Sequence, residues 1–229
     1  METRVNQIEL NGLTFQYRES GEPSAPPIVA LHALGKSAKS WDQVAAVLGE
    51  NYRVLALDQR GHGGSARTST YTFELMCDDL LHFANAMNLG QFTLIGHSMG
   101  GTVSYLFSET FPSRIERLIV EDTPPPFPDK PIEVPSKPSD PLPFDWLVVP
   151  SILRQLNEPN PEWWARLTEI IIPTLIIGGG SSHISQNKLQ EVSELIPTCE
   201  LVTIVDAGHH VHDANLPAFL TAVKSFLNS

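Results

Sequence analysis

A rhythm in the chain restricts its fold more than any single motif. Short apolar runs rich in β-branched residues alternate with segments of helical periodicity. PPIVALH (26–32) and YRVLALD (52–58) are continuously apolar, as expected of strands buried on both faces. FTLIG (92–96), RLIVED (117–122), PTLIIGG (173–179) and ELVTIVD (200–206) read as further strands. Helices are expected over 40–48, 72–89, 99–111, 184–196 and 216–227. Ser40 and Thr72 are candidate N-caps. In the second helix Phe73, Met76, Leu80, Phe83, Ala84 and Met87 share one face, and Pro112 closes the third. QIEL (7–10) and LTFQYRES (13–20) flank Asn11-Gly12, a strong hairpin signal. Strand alternating with helix predicts an α/β fold: a doubly wound, mostly parallel sheet with helices on both faces. Such sheets bind ligands outside the C-terminal ends of their strands, so the residues just after the apolar runs deserve the closest reading.

A length of 229 residues with 41% hydrophobic composition suits one large core. The net charge of -11 argues against nucleic acid, and the 15 Lys and Arg form no basic run. Anionic membranes are disfavoured on the same ground, and no apolar stretch approaches the ~20 residues of a membrane span. The polar start METRVNQIELNG lacks the apolar core of a signal peptide, so a cytoplasmic location is expected. Cys77 and Cys199 lie far apart, outside any C-x-x-C pair, and read as small buried hydrophobes. Nothing in the sequence sets an oligomeric state.

One segment breaks the rhythm. Residues 124–161 hold 12 of the 19 prolines. A connection this long is functional or disordered in most folds. The expectation is one sheet-centred core over 1–123 and 166–229, with 124–165 inserted as a small cap above the strand ends. Phe144, Trp146, Leu147 and Trp164 are the expected substrate-binding surface of that cap, and Trp163 adds apolar area.

Gly96-His97-Ser98-Met99-Gly100 fits G-x-S-x-G between a strand and a helix, the context the motif requires. A turn this sharp brings the flanking residues together, and glycine removes the side chains that would clash. The turn presents Ser98 at the top of the sheet as a nucleophile. The following helix start offers unpaired N–H groups, Met99 first, to a developing negative charge. A serine needs a base. His209, in DAGHHVHDANLP after the last strand, is the candidate; His210 and His212 are its neighbours. Three close histidines raise a metal site, but no carboxylate stands at the helical spacing of zinc-protease motifs, so no metal or cofactor is expected.

LHALG (31–35), DQRGHGGS (58–65), GHSMGG (96–101) and DAGHHVH (206–212), in this order, resemble the α/β-hydrolase superfamily. The resemblance covers most of the chain and is weakest over 124–165. It implies eight mostly parallel strands with the nucleophile after the fifth, which is where Ser98 falls. His209 matches the family's catalytic histidine, and Leu34 matches the second oxyanion donor. Ala33 stands where the family usually has glycine. His32 and the DQRGHGGS loop, with Asp58 and Arg60, read as structural elements of these loops.

The acid that orients the histidine is less plainly marked. Many family members carry it after the seventh strand, where this chain has IIGGGSSHIS (176–185) and no carboxylate; Ser181, Ser182 and His183 supply no negative charge. A branch of the family places it after the sixth strand, where Asp122 stands. Strand alternation points the neighbouring Glu121 the other way. Asp122 is the first choice, with Glu121, Asp206 or no acid at all as alternatives. The sequence thus predicts a serine hydrolase acting on a small-molecule ester, lactone or thioester. The alternatives are a lyase of hydroxynitrile lyase type, a C–C bond hydrolase, or a non-enzymatic small-molecule receptor on the same fold. Because the nucleophile position carries serine and not aspartate, dehalogenase and epoxide hydrolase chemistry is disfavoured.

Overall fold

The computed structural model describes residues 3–229. β1 (Arg4–Leu10) and β2 (Leu13–Ser20) form the expected hairpin, turning through Asn11 (φ 50°) and Gly12 (φ 75°). Two consecutive positive φ values are what a two-residue primed turn demands. Then follow β3 (Pro27–Leu31), α1 (Asp42–Leu48), β4 (Arg53–Leu57), α2 (Phe73–Ala86), β5 (Phe92–His97), α3 (Met99–Thr110) and β6 (Ile115–Glu121). The second half holds α4 (Val148–Asn157), α5 (Pro161–Ala165), β7 (Thr174–Gly179), α6 (Gln186–Leu195), β8 (Cys199–Ile204), α7 (Val211–Ala214) and α8 (Leu216–Leu227).

All eight strands join one sheet in the order β1-β2-β4-β3-β5-β6-β7-β8. β2 pairs antiparallel with β1 and β4, and every other pairing is parallel. The pleat sorts the apolar runs onto two faces. Leu94, Leu118 and Val120 pack with α2, α3 and α6, while Ile95 and Ile119 pack with Trp41, Phe219 and α8. Burying one such side chain stabilises by about 1.5–3 kcal/mol, so both layers contribute to holding the strand ends in place. This is the mostly parallel sheet with helices on both faces that the strand–helix alternation predicts.

Thr72 caps α2 as expected, its hydroxyl accepting from Leu75 N–H at 3.1 Å. Ser40 does not cap α1. A 3₁₀ turn over Ala38–Trp41 precedes that helix, and the Ser40 hydroxyl donates back to Ser37 C=O at 3.0 Å. Residues 124–147 run without helix or strand, apart from a bridge between His62 and Phe144. Prolines at this density remove the N–H donors that either element needs. Order returns with α4, which buries Val148, Val149, Ile152 and Leu153. α5 is capped by Asn160 and starts on Pro161. Among the described residues no helix is long and apolar enough to cross a membrane.

Candidate active site

Ser98 sits between β5 and α3 with φ 52° and ψ -116°, a sparsely populated conformation for a residue with a side chain. Its neighbours leave no room for a gentler turn. A Cβ on Gly96 would stand 2.3 Å from both Gly100 C=O and Ser104 Oγ, and one on Gly100 would stand 2.4 Å from Leu31 C=O. Glycine at both positions lets β5, β3 and α3 converge, and this convergence lifts the serine out of the sheet.

His209 lies in the loop between β8 and α7. Its Nδ1 is 2.8 Å from Asp122 Oδ2. Asp122 follows β6 directly, has φ 48° and is fully buried. Its Oδ1 accepts from Gly179 N–H at 2.8 Å, and Oδ2 also accepts from the Ser182 hydroxyl. A carboxylate accepts and cannot donate, so the proton between the pair sits on Nδ1, which leaves Nε2 with a lone pair. Among the described residues no protein group hydrogen-bonds to Ser98 Oγ or to His209 Nε2. Ser98 and His209 line one cavity.

Neither of the other candidate carboxylates, Asp206 and Glu121, bonds His209 among the described residues. Asp206 is exposed. Glu121 is fully buried on the opposite face, where it accepts from His212 N–H at 3.0 Å and lies 2.6 Å from His212 Nδ1. Burial alone would raise its pKa, but His97 and His212 override that and hold it at about 2. His212 is shifted upward, because its bond to Glu121 outweighs the cost of burial.

Met99 and Leu34 border the same cavity, and neither backbone N–H donates to a backbone acceptor among the described residues. Two N–H groups free beside one serine can receive an oxyanion. The loop carrying Leu34 is fixed from below. His32, fully buried, has Nδ1 2.8 Å from Ala33 C=O and accepts from Gln59 N–H on Nε2 at 3.0 Å. Burial pushes its pKa down to about 4, so the ring is neutral and keeps this donor–acceptor polarity. His62 Nε2 accepts from Gly35 N–H at 3.1 Å, and Asp58 accepts from Ala38 N–H at 2.6 Å. Arg60 makes a buried bidentate pair with Asp79 at 2.5 and 2.6 Å. The DQRGHGGS loop therefore acts as scaffold for the Leu34 loop.

The cavity has a volume of about 510 Å³. Its apolar wall comes from Phe73, Phe127, Ile132, Ile152, Leu153 and Leu156. The four aromatic and aliphatic residues expected from sequence to line it lie elsewhere. Phe144 stacks on His62 with ring centroids 5.6 Å apart. Trp164 packs against Phe127, and Lys188 Nζ lies 5.1 Å from its ring. Leu147 is exposed and Trp146 half-buried, both outside the cavity lining. α4 explains the difference: its apolar face turns Ile152 and Leu153 inward, a signal present in the helical spacing of 148–157 but masked by the surrounding prolines. Ser182 has no charge to offer the histidine, yet its hydroxyl donates to the buried carboxylate of Asp122. His183 stands beside it, its ring 4.7 Å from that of His209, with its pKa lowered by partial burial and by His209.

A family profile described as alpha/beta hydrolase fold matches residues 26–148. The chain is 28% identical over 253 residues to the sn-1-specific diacylglycerol lipase ABHD11 of Danio rerio, covering 90% of this chain and 80% of that protein. Among solved structures, it is similar to a hydrolase from Pseudomonas aeruginosa, with a TM-score of 0.86 and 22% identity over 99% of each chain. It is also similar to a thioesterase domain from the curacin biosynthetic pathway, with a TM-score of 0.86 and 18% identity over 98% of this chain and 100% of the other.

Proposed function

The chain belongs to the α/β-hydrolase fold family, and from that premise we propose that it is a serine hydrolase cleaving carboxylic esters, lactones or thioesters of small, largely apolar molecules through an acyl-enzyme. One observation carries the reading. Ser98, on a strained turn, shares a cavity with His209, whose Nδ1 is held 2.8 Å from the buried Asp122. In this reading Ser98 Oγ attacks the carbonyl carbon and His209 Nε2 takes the hydroxyl proton. The Met99 and Leu34 N–H groups hold the oxyanion. Collapse of the tetrahedral intermediate breaks the acyl C–O or C–S bond, and the alcohol or thiol takes the proton from His209 and departs or, for a lactone, stays tethered to the acyl chain. Water, deprotonated by the same nitrogen, then attacks the acyl-enzyme, and the carboxylic acid departs as Ser98 regains its proton. Residues 124–165 act as the cap, and the apolar wall around Ile152 and Phe127 receives the acyl or alcohol part.

The test uses p-nitrophenyl acetate and butyrate with wild type and Ser98→Ala. Wild type should release one p-nitrophenolate per enzyme in a burst, followed by slower turnover, and the alanine variant should do neither. Equal turnover by the two proteins would sink the assignment of Ser98. Labelling of Ser98 by a fluorophosphonate with no turnover on any ester, lactone or thioester would favour a ligand receptor.

A further inference from the structure

A second histidine–carboxylate pair stands directly behind the first. β5 and β6 run parallel with His97 opposite Glu121. Each of these residues ends its strand, and each is followed by a residue of the candidate site, Ser98 and Asp122. The pleat sends His97 and Glu121 to the face where Ile95 and Ile119 pack with Trp41 and Phe219. The two adjacent acids, pointing to opposite faces, each take a histidine from the segment after β8: His209 in the loop and His212 in α7. Asp122 holds the ring of His209, and Glu121 holds both the ring and the backbone N–H of His212. The His212 ring also stacks on Trp41, with centroids 4.5 Å apart and planes 17° apart.

A third tie closes the arrangement. His97 Nε2 lies 2.8 Å from the backbone C=O of His209. A carbonyl only accepts, so Nε2 carries the proton and His97 is the donor. Residues 209–212 are thereby fixed at the ring of His209, at its carbonyl, and at His212. Ligand atoms of His97, Glu121 and His212 lie within 4.8 Å of one another, close enough to raise a cation site. However, both Glu121 oxygens are engaged by His212 and His97 Nε2 by a carbonyl, so a cation would have to break the bonds that fix the loop.

We propose that His97, together with the Glu121–His212 pair, positions His209 for proton transfer by anchoring the backbone of its loop to the strand that carries Ser98. This rests on the reading of His209 as general base and adds residues that never touch substrate. A displacement on the order of 1 Å at a reacting group can cost about 100-fold in rate, so a clamp on the His209 backbone is felt in turnover rather than in binding.

The experiment compares wild type, His97→Phe and His97→Gln on p-nitrophenyl butyrate, with active sites counted by end-point fluorophosphonate labelling. Phenylalanine removes the donor. Glutamine carries an amide N–H at nearly the reach of imidazole Nε2. The expected result is a fall of roughly 10- to 100-fold in kcat per labelled site for His97→Phe, with KM within about twofold of wild type, and recovery of most of that loss in His97→Gln. A phenylalanine variant with wild-type kcat overturns the proposal, and so does a glutamine variant as slow as phenylalanine, since the donor then has no role. If His97→Phe does not fold, His212→Asn, which keeps an N–H at the Nδ1 position, is set against His212→Leu, with near-normal and slowed turnover expected respectively; equal rates overturn the proposal. Stoichiometric zinc in the purified wild type, with activity lost on chelation, would replace the clamp by a metal centre. A readout independent of turnover is the low-field His209 Nδ1–H resonance, which should persist in His97→Gln and be lost or broadened in His97→Phe. Turnover by Ser98→Ala, by contrast, strikes the hydrolase reading and leaves the resonance comparison standing.

Discussion

Glu109, near the end of α3, offers a test of how tightly the helix behind Ser98 is packed. The residue is buried, and among the described residues neither carboxylate oxygen has a hydrogen-bond partner. Arg166 approaches but spends its guanidinium on the Glu109 backbone C=O, at 2.6 Å. Burial, only partly offset by the charge of Arg166, pushes the carboxyl from 4.5 up to about 8. The folded state therefore holds this proton more tightly than the unfolded chain does. The stabilisation is fully present below about pH 4.5 and is lost as pH rises to about 8, where the folded protein must also ionise. At ~1.4 kcal/mol per pH unit, ionising the buried group costs on the order of 5 kcal/mol, an upper value because local relaxation and water entry reduce it. Glu109→Gln keeps the shape and cannot ionise. Urea unfolding at pH 5 and pH 9 should show the variant gaining at least about 2 kcal/mol on wild type between the two, equivalent to roughly 4–8 °C in Tm for a chain of this size. A difference between variant and wild type that stays constant over this range would show that the carboxyl is solvated or paired, and the account of the α3 terminus would be wrong.

Other outcomes follow from the same geometry. Asp122→Asn should leave Tm close to wild type but lower kcat by as much as about 10⁴-fold, as loss of the orienting carboxylate does in a well-studied triad; hydrolysis within tenfold of wild type would place that role elsewhere. Gly100→Ala puts a methyl 2.4 Å from the Leu31 carbonyl oxygen, a backbone atom that cannot swing aside. It should cost about 3 kcal/mol or more, seen as a Tm drop of roughly 6–12 °C together with lost burst amplitude. Leu156→Trp should fill part of the cavity wall and shift preference toward short acyl groups, with kcat/KM for p-nitrophenyl hexanoate falling at least about tenfold relative to acetate. An unchanged ratio would remove α4 from the acyl site.

Much of the fold and part of the site could be read from the letters because they depend on local rules. Strand alternation with helices predicts the parallel sheet, Asn11-Gly12 predicts the hairpin, and Gly96 and Gly100 around Ser98 predict a turn that only glycine permits. Residues 121 and 122 show how far this extends. One carboxylate follows the other at a strand end, and a period of two must send them to opposite faces; the structure gives each its own histidine, 209 in the loop after β8 and 212 in α7, three residues apart. That pairing depends on the return of the chain after β8, so it lies beyond local pattern. The cavity wall was less legible for a related reason. Prolines over 124–143 suppress periodicity, and large aromatic residues such as Phe144 and Trp164 draw attention although their rings are engaged by His62, Phe127 and Lys188. The residues that do face the cavity, Ile152 and Leu153, are ordinary helix-core residues in sequence. They become wall only because α4 lies across the strand ends that the sheet topology had already made the site.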